Sequence, residues 1–173
     1  MPTSLYDVTV ASYLQTLGAV AKCLEKGLAH CTSGTVDPGE MVDSRLAVDM
    51  LPLRFQIVSV AHHSLGAIEG VKAGVFKPPG PVEPLDYRGL QGLVTKTEEG
   101  LQRLSREEVE ALADRDMAFK FGDTAIPFTG ENFLLSFSLP NFYFHATTAY
   151  GILRNKGVPL GKRDFMGRLR IKK

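Results

Sequence analysis

Charge of one sign is missing from this sequence. Lys and Arg total 20 and Asp and Glu 19, a formal net charge of +1. Proteins that grip nucleic acid by releasing its counterions carry a clear basic excess, so nucleic acid is not an expected partner. Long apolar runs are missing too. No stretch of about 18 consecutive apolar residues occurs, so no membrane span, and no membrane partner, is expected. The opening MPTSLYDVTV has neither the basic start nor the apolar centre of a secretion signal. Cysteine is scarce. Cys23 and Cys31 are the two, on one segment of helical periodicity. A rise of about 1.5 Å per residue puts their backbones roughly 12 Å apart, too far for a disulfide. Two reduced thiols fit the cytosol, and a cytoplasmic location is expected. Nucleotide motifs are also lacking: GTVDPGE has no phosphate-loop lysine, and GxGxxG does not occur. Ser44, Ser59 and Ser64 lie outside any nucleophile elbow, which argues against a serine hydrolase.

What is present is an ordinary globular composition, 44% hydrophobic and 23% charged over 173 residues. That suits one domain over 1–173, long enough to bury a core without disulfides or metal. Val10, Tyr13, Leu14, Leu17, Val20, Leu24 and Leu28 recur at spacings of three and four, which predicts a first helix over about 4–29. A connector over 32–40 follows. Pro52 suits the first turn of a second helix running to about 74. Its core stripe is Leu53, Ile57, Val60, Ala61, Ser64, Ile68 and Val71, while Phe55, Val58, His62 and Leu65 point the other way. That outward patch predicts a subunit interface or a seat for the C-terminal tail. KPPGPVEP (77–84) is a rigid break, and a third helix is predicted over about 87–104. Ser105 with Glu108 reads as a capping box. MAFKFGDTAIPF (117–128) alternates around Gly122-Asp123, the pattern of a small hairpin. The last helix is predicted from Thr129 or Gly130 to Lys156, interrupted at Pro140 and stopped by Gly157. The expected fold is therefore all-α, an up-and-down four-helix bundle with a small β-hairpin inserted before the last helix.

Three segments carry a resemblance. LPNFYFHATTAYGILRNKGVPLGKRDF (139–165), LAVDMLPL (46–53) and FKFGDTAIPFTG (119–130) make nearly the whole chain resemble a family of the DinB/YfiT-like superfamily. The resemblance implies an up-and-down bundle, frequently a homodimer. It also implies a divalent metal, typically held by three histidines at one end of the bundle. One comes from the second helix and two from the last, at i and i+4. Here His145 matches the first of that pair, but Ala149 stands four residues on and cannot ligate.

The helical wheel brings other residues into play. At 100° per residue, Asp49, Gln56 and His63 form one polar edge of the second helix, and His145 lies within about 50° of the apolar face of the last. His145 is thus predicted to look inward, with Asp49 or His63 to meet it. His145 and Asp49 are the candidate catalytic pair, because a histidine beside a carboxylate works as a general acid or base. Asn141, Thr148, His63, Tyr150 and Arg154 are candidates to line a substrate pocket among phenylalanines. Were a metal held, His145, His63 and Asp49 would be its ligands, with His30 a further candidate, and such a set would hold zinc or iron weakly. The favoured expectation is a cofactor-free protein that binds a small molecule in an apolar pocket of the bundle core, as a binding module or a cyclase- or isomerase-type enzyme. The alternatives are a metal-dependent transferase or hydrolase, and a non-catalytic dimeric interaction protein using the outward stripe. A closed apolar cavity beside His145 would favour the first.

Overall fold

The computed structural model describes residues 3–34, 36–81 and 84–172. The fold is mostly helical, with a small three-stranded sheet. The predicted first helix is two, α1 (Leu5–Val8) and α2 (Val10–Thr32). Thr9 separates them at φ −105° and ψ −81°, its hydroxyl turned back to donate to the Leu5 carbonyl at 2.6 Å. A hydroxyl bonding its own preceding turn competes with helical geometry. α3 (Pro38–Asp43) begins at Asp37, whose carboxylate accepts from two backbone N–H groups. A connector over 44–52 leads into α4 (Leu53–His62) and α5 (Leu65–Ala73). β1 (Val75–Phe76) follows, then α6 (Tyr87–Gln102) and α7 (Arg106–Glu110). The predicted breaks over 32–40 and 77–84 contain Thr35, Val82 and Glu83, which lie outside the described residues.

The hairpin is present as β2 (Asp116–Phe121) and β3 (Thr124–Thr129), turning at Gly122-Asp123 with Gly122 at φ +56°. It is not an isolated insertion. β1 pairs parallel with β2, Val75 opposite Ala118 and Phe76 opposite Phe119, so an all-α fold with a simple hairpin gives way to a mixed sheet. Two residues were too short to register as a strand in the sequence; their pairing comes from distant β2. The last helical stretch starts at Thr129, whose hydroxyl accepts from Asn132 N. It continues as α8 (Gly130–Phe133), a π-helical turn over Leu134–Ser138, and α9 (Leu139–Asn155). Pro140 explains the interruption, because it has no N–H to continue the α-helical ladder, and the register widens so that Leu139 N bonds Leu134 O. Gly157, at φ +88°, ends the helix, and α10 (Lys162–Met166) lies beyond.

α4 packs against α6 and α9, and α2 against the same two helices. Tyr13, Leu17, Leu24, Ile57, Leu90, Phe133 and Phe142 are fully buried between them. The C-terminal segment does not cover the outward patch of α4. α10 lies on α2 instead, where Asp164 pairs with Lys26 at 2.7 Å rather than with its neighbours Arg163 or Lys162, and Phe165 meets Tyr150 edge-on. Among the described residues, no helix is long and apolar enough to cross a membrane.

Candidate functional site

The second predicted helix breaks at His63 and Ser64, and the break builds the site. Ser64 adopts φ −116° and ψ −89° and its hydroxyl donates to the Val60 carbonyl at 2.7 Å. The carbonyl of His63, left without a helical partner, accepts from Ser138 Oγ at 2.6 Å. Ser138 stands at the end of the π-helical turn, so the irregular turn of one helix satisfies the break in the other. With its hydrogen committed to His63, Ser138 Oγ must accept from the fully buried Tyr13 hydroxyl, 2.7 Å away. Burial raises the Tyr13 pKa and keeps it a neutral donor.

Three imidazoles form a row across this break. The ring of His63 lies 5.5 Å from His62 and 5.6 Å from His145, near-parallel to the latter at 14°. Phe76 and Phe137 close round His63 at 5.5 and 5.8 Å. His63 is 7% exposed, and its Nδ1 is buried without a hydrogen-bond partner. Burial, then the neighbouring imidazoles, push its pKa down to about 3. His145 is half-buried and is likewise pushed down, by burial, to about 4. Both rings therefore remain neutral near pH 7.

The partner of His145 is Gln56, not Asp49. His145 Nδ1 lies 2.8 Å from Gln56 Oε1, while Gln56 Nε2 donates to the Leu51 carbonyl at 2.8 Å. The amide oxygen only accepts, so His145 carries its proton on Nδ1 and its lone pair on Nε2. Asp49 is exposed in the connector and makes no hydrogen bond or ion pair among the described residues. The helix starts only at Leu53, so the seven-residue edge that would have carried Asp49 toward His145 does not extend back to it. His63 does meet His145, as expected.

The remaining candidates do not join the histidine row, although Thr148 and Tyr150 line one open hollow of about 550 Å³ with Tyr143 and Phe144. Asn141 Nδ2 donates to the Phe137 carbonyl at 2.7 Å, and the Thr148 hydroxyl to the Phe144 carbonyl at 2.8 Å. Arg154 donates to the Val158 carbonyl at 2.9 Å, beyond the end of α9. Tyr150 lies toward Phe165 and α10. His30, on α2, bonds the Lys156 carbonyl at 3.2 Å, away from the row. Between α2, α4 and α9 the core is tightly filled. Val20, Leu24, Ile57, Ala146, Ala149 and Leu153 enclose about 10 Å³, at or below the volume that one water needs.

Open space lies on the other side of the row. His62 stacks on Phe76 at 4.3 Å, and its Nε2 donates to the Lys77 carbonyl at 2.7 Å. Its Nδ1 is thus the unprotonated nitrogen, and burial lowers its pKa. It faces Gly66, where an added Cβ would stand 3.3 Å away. Val58, His62, Gly66 and Gly70, four residues apart and on one face, floor a groove of about 590 Å³. Leu93 of α6 forms one wall and the proline loop over 77–81 the other. The outward stripe is thereby half-covered rather than free. Val58 and His62 lie under the loop, and Leu65 packs on Gly100 of α6.

The metal implied by the resemblance does not fit these residues. Among the described residues, no three His, Cys, Asp or Glu side chains gather to hold an ion. Ala149 occupies the i+4 position, and Asp49 faces solvent.

The model of the family described as a domain of unknown function (DUF1993) matches residues 5–166. The chain belongs to the DUF1993 family. A crystal structure of a DinB family member from Shewanella denitrificans is similar over 98% of this chain and 95% of that one, at 25% identity and a TM-score of 0.80. This fold and the DUF1993 match place the chain within the DinB-like superfamily. No curated protein matches. Gln56 had a signal in the sequence, its seven-residue spacing from His63, whereas Ser138 and Phe76 had none, because a helix break and a two-residue parallel strand bring them in.

Proposed function

We propose that this DUF1993 protein is a metal-independent small-molecule-binding protein whose ligand enters the open groove beside His62, not the bundle core. Its scaffold is one domain, an up-and-down four-helix bundle of α2, α4 with α5, α6, and the α8–α9 stretch. The observation that carries the reading is the free acceptor nitrogen of His62, held above bare Gly66 in an apolar groove of about 590 Å³. Small-molecule sites have this form and this range of size, largely apolar with a few directed polar groups. Three prolines, Pro78, Pro79 and Pro81, stiffen the wall, and a preformed wall loses little entropy when a ligand docks. Cys23 and Cys31, both buried free thiols, support a reducing compartment.

The groove is set for an apolar ligand that donates a hydrogen bond, since a neutral imidazole lone pair accepts one. Indole, a flat apolar ring with one N–H, is the probe. Titrated into the ¹⁵N-labelled protein, it is expected to move the Nδ1 resonance of His62 upfield, as hydrogen bonding to an imidazole lone pair does. The Leu93→Arg variant, which fills the groove with charge, should abolish the shift. Movement at His145 alone, or none at any imidazole up to the solubility of indole, would sink this reading.

A further inference from the structure

We propose that the groove takes a planar aromatic carboxylate bearing a ring N–H or O–H, with Lys77 holding the carboxylate and His62 accepting from the ring donor. This rests on the groove being the binding site and adds the chemical class of its ligand.

Lys77 is the one charged side chain among the described residues that line the groove. It is exposed and has no carboxylate partner among the described residues. Lys26, Lys72 and Lys156 each have one, at 2.7, 3.6 and 3.1 Å. An unpaired ammonium at the mouth of an apolar groove is complementary to an anion. It is also tied to the acceptor, because the Lys77 carbonyl is pinned 2.7 Å from His62 Nε2. Lys77 and His62 both line the groove, so one ligand lying in it can reach the ammonium and the His62 lone pair.

These two groups make different demands, so a single functional group cannot satisfy both. A bare carboxylate would pair with Lys77 but offer no hydrogen to His62 Nδ1. A neutral ring N–H would serve His62 and leave Lys77 unpaired. A molecule with both groups answers each.

The groove's shape selects a flat ring between them. His62, backed by the buried Phe76 ring, offers the groove a planar ring, and the prolines of the loop make a stiff wall. Gly66 and Gly70 keep the floor bare. A Cβ at Gly70 would come within 2.8 Å of the Phe76 ring, and one at Gly66 within 3.3 Å of His62 Nδ1.

Calorimetry on the full chain tests this with three probes: indole, indole-3-carboxylate and 1-methylindole-3-carboxylate. Wild type is expected to bind indole-3-carboxylate roughly fivefold more tightly than indole, a preference that shrinks at high salt and disappears in Lys77→Met. Methylating the ring nitrogen should weaken binding by a similar factor. Equal affinity for indole and its carboxylate, or a preference that survives Lys77→Met, overturns the inference while indole binding still upholds the groove. Binding unaffected by N-methylation removes the part assigned to His62. Failure of all three probes to bind overturns the groove reading itself, and this inference with it.

Discussion

His62 and His63 are neighbours in sequence and opposites in surroundings. His62 looks outward, with one nitrogen on the Lys77 carbonyl and the other on an open groove. His63 looks inward, its Nδ1 sealed among Phe76, Phe137 and His145 with no partner. The regions they belong to differ in the same way. The inner seam is a closed chain of hydrogen bonds, Tyr13 to Ser138 to the His63 carbonyl, with Gln56 fixing His145 alongside. The outer groove is bare apolar surface with one acceptor and one cation. A group whose partners all lie within the protein acts on stability, because losing one strands another in low dielectric. A polar group facing open space has little to strand, and is available to a ligand.

The largest consequence lies in pH. His63 and His145 are pushed down to about 3 and about 4 in the fold, against about 6.5 in an unfolded chain. Above pH 6.5 both states are neutral, and the full stability is present. As pH falls below 6.5 the unfolded chain takes up protons that the folded one refuses, so stability falls until the folded values are reached. With allowance for the partial exposure of His145, the loss between pH 6.5 and 5 is expected to be roughly 2 to 3 kcal/mol. Asp7, held at about 2 by Arg106, does not contribute in this window. Urea unfolding at half-unit pH steps measures the slope, and His63→Phe should remove about half of it. A flat profile from pH 6.5 to 5 would mean that the inner imidazoles accept protons in the folded state, erasing their contrast with His62.

The second effect is that of Ser138→Ala. It removes the donor to the His63 carbonyl and the acceptor of the buried Tyr13 hydroxyl at once, with an expected cost of about 2 kcal/mol in urea unfolding. Tyr13→Phe leaves the Ser138–His63 bond intact and should cost about half as much. If both substitutions cost the same, the seam is not a chain in which Ser138 serves two partners.

How much of this was legible in the sequence follows from where each signal resides. The apolar stripes of α2, α4 and α6 bury as their 3.6-residue period predicts, and the Ser105 capping box and Gly122-Asp123 turn are local signals that the structure keeps. The His145–His63 encounter was also legible, because two helical wheels point the residues at one another. Asp49 was misplaced because the wheel was extended through a non-helical connector. A core pocket is not legible in this way at all: periodicity says which side chains face inward, not how completely they fill the space. The groove was least legible. Its floor is recorded as the Val58, His62, Gly66, Gly70 spacing, but its roof depends on β1 finding β2, a contact between residues more than forty apart in the chain.

The smallest expected effect sharpens the comparison most. His62→Phe keeps a flat ring to stack on Phe76 and gives up a single hydrogen bond at a half-exposed position. Stability should change by no more than about 0.5 kcal/mol, since the Lys77 carbonyl can turn to water. His63→Phe, one residue on, is the matched control, and there the orphaned Nδ1 is replaced by carbon in a phenylalanine cage. Near neutral pH that exchange should be neutral or stabilising, because a buried nitrogen without a partner costs more than the carbon that replaces it. The two variants should therefore separate by ligand rather than by melting temperature, with indole binding lost in His62→Phe and kept in His63→Phe. If His62→Phe costs as much as Ser138→Ala, the outer histidine is a structural strut like the inner seam, and the groove beside it loses its claim to be the working face.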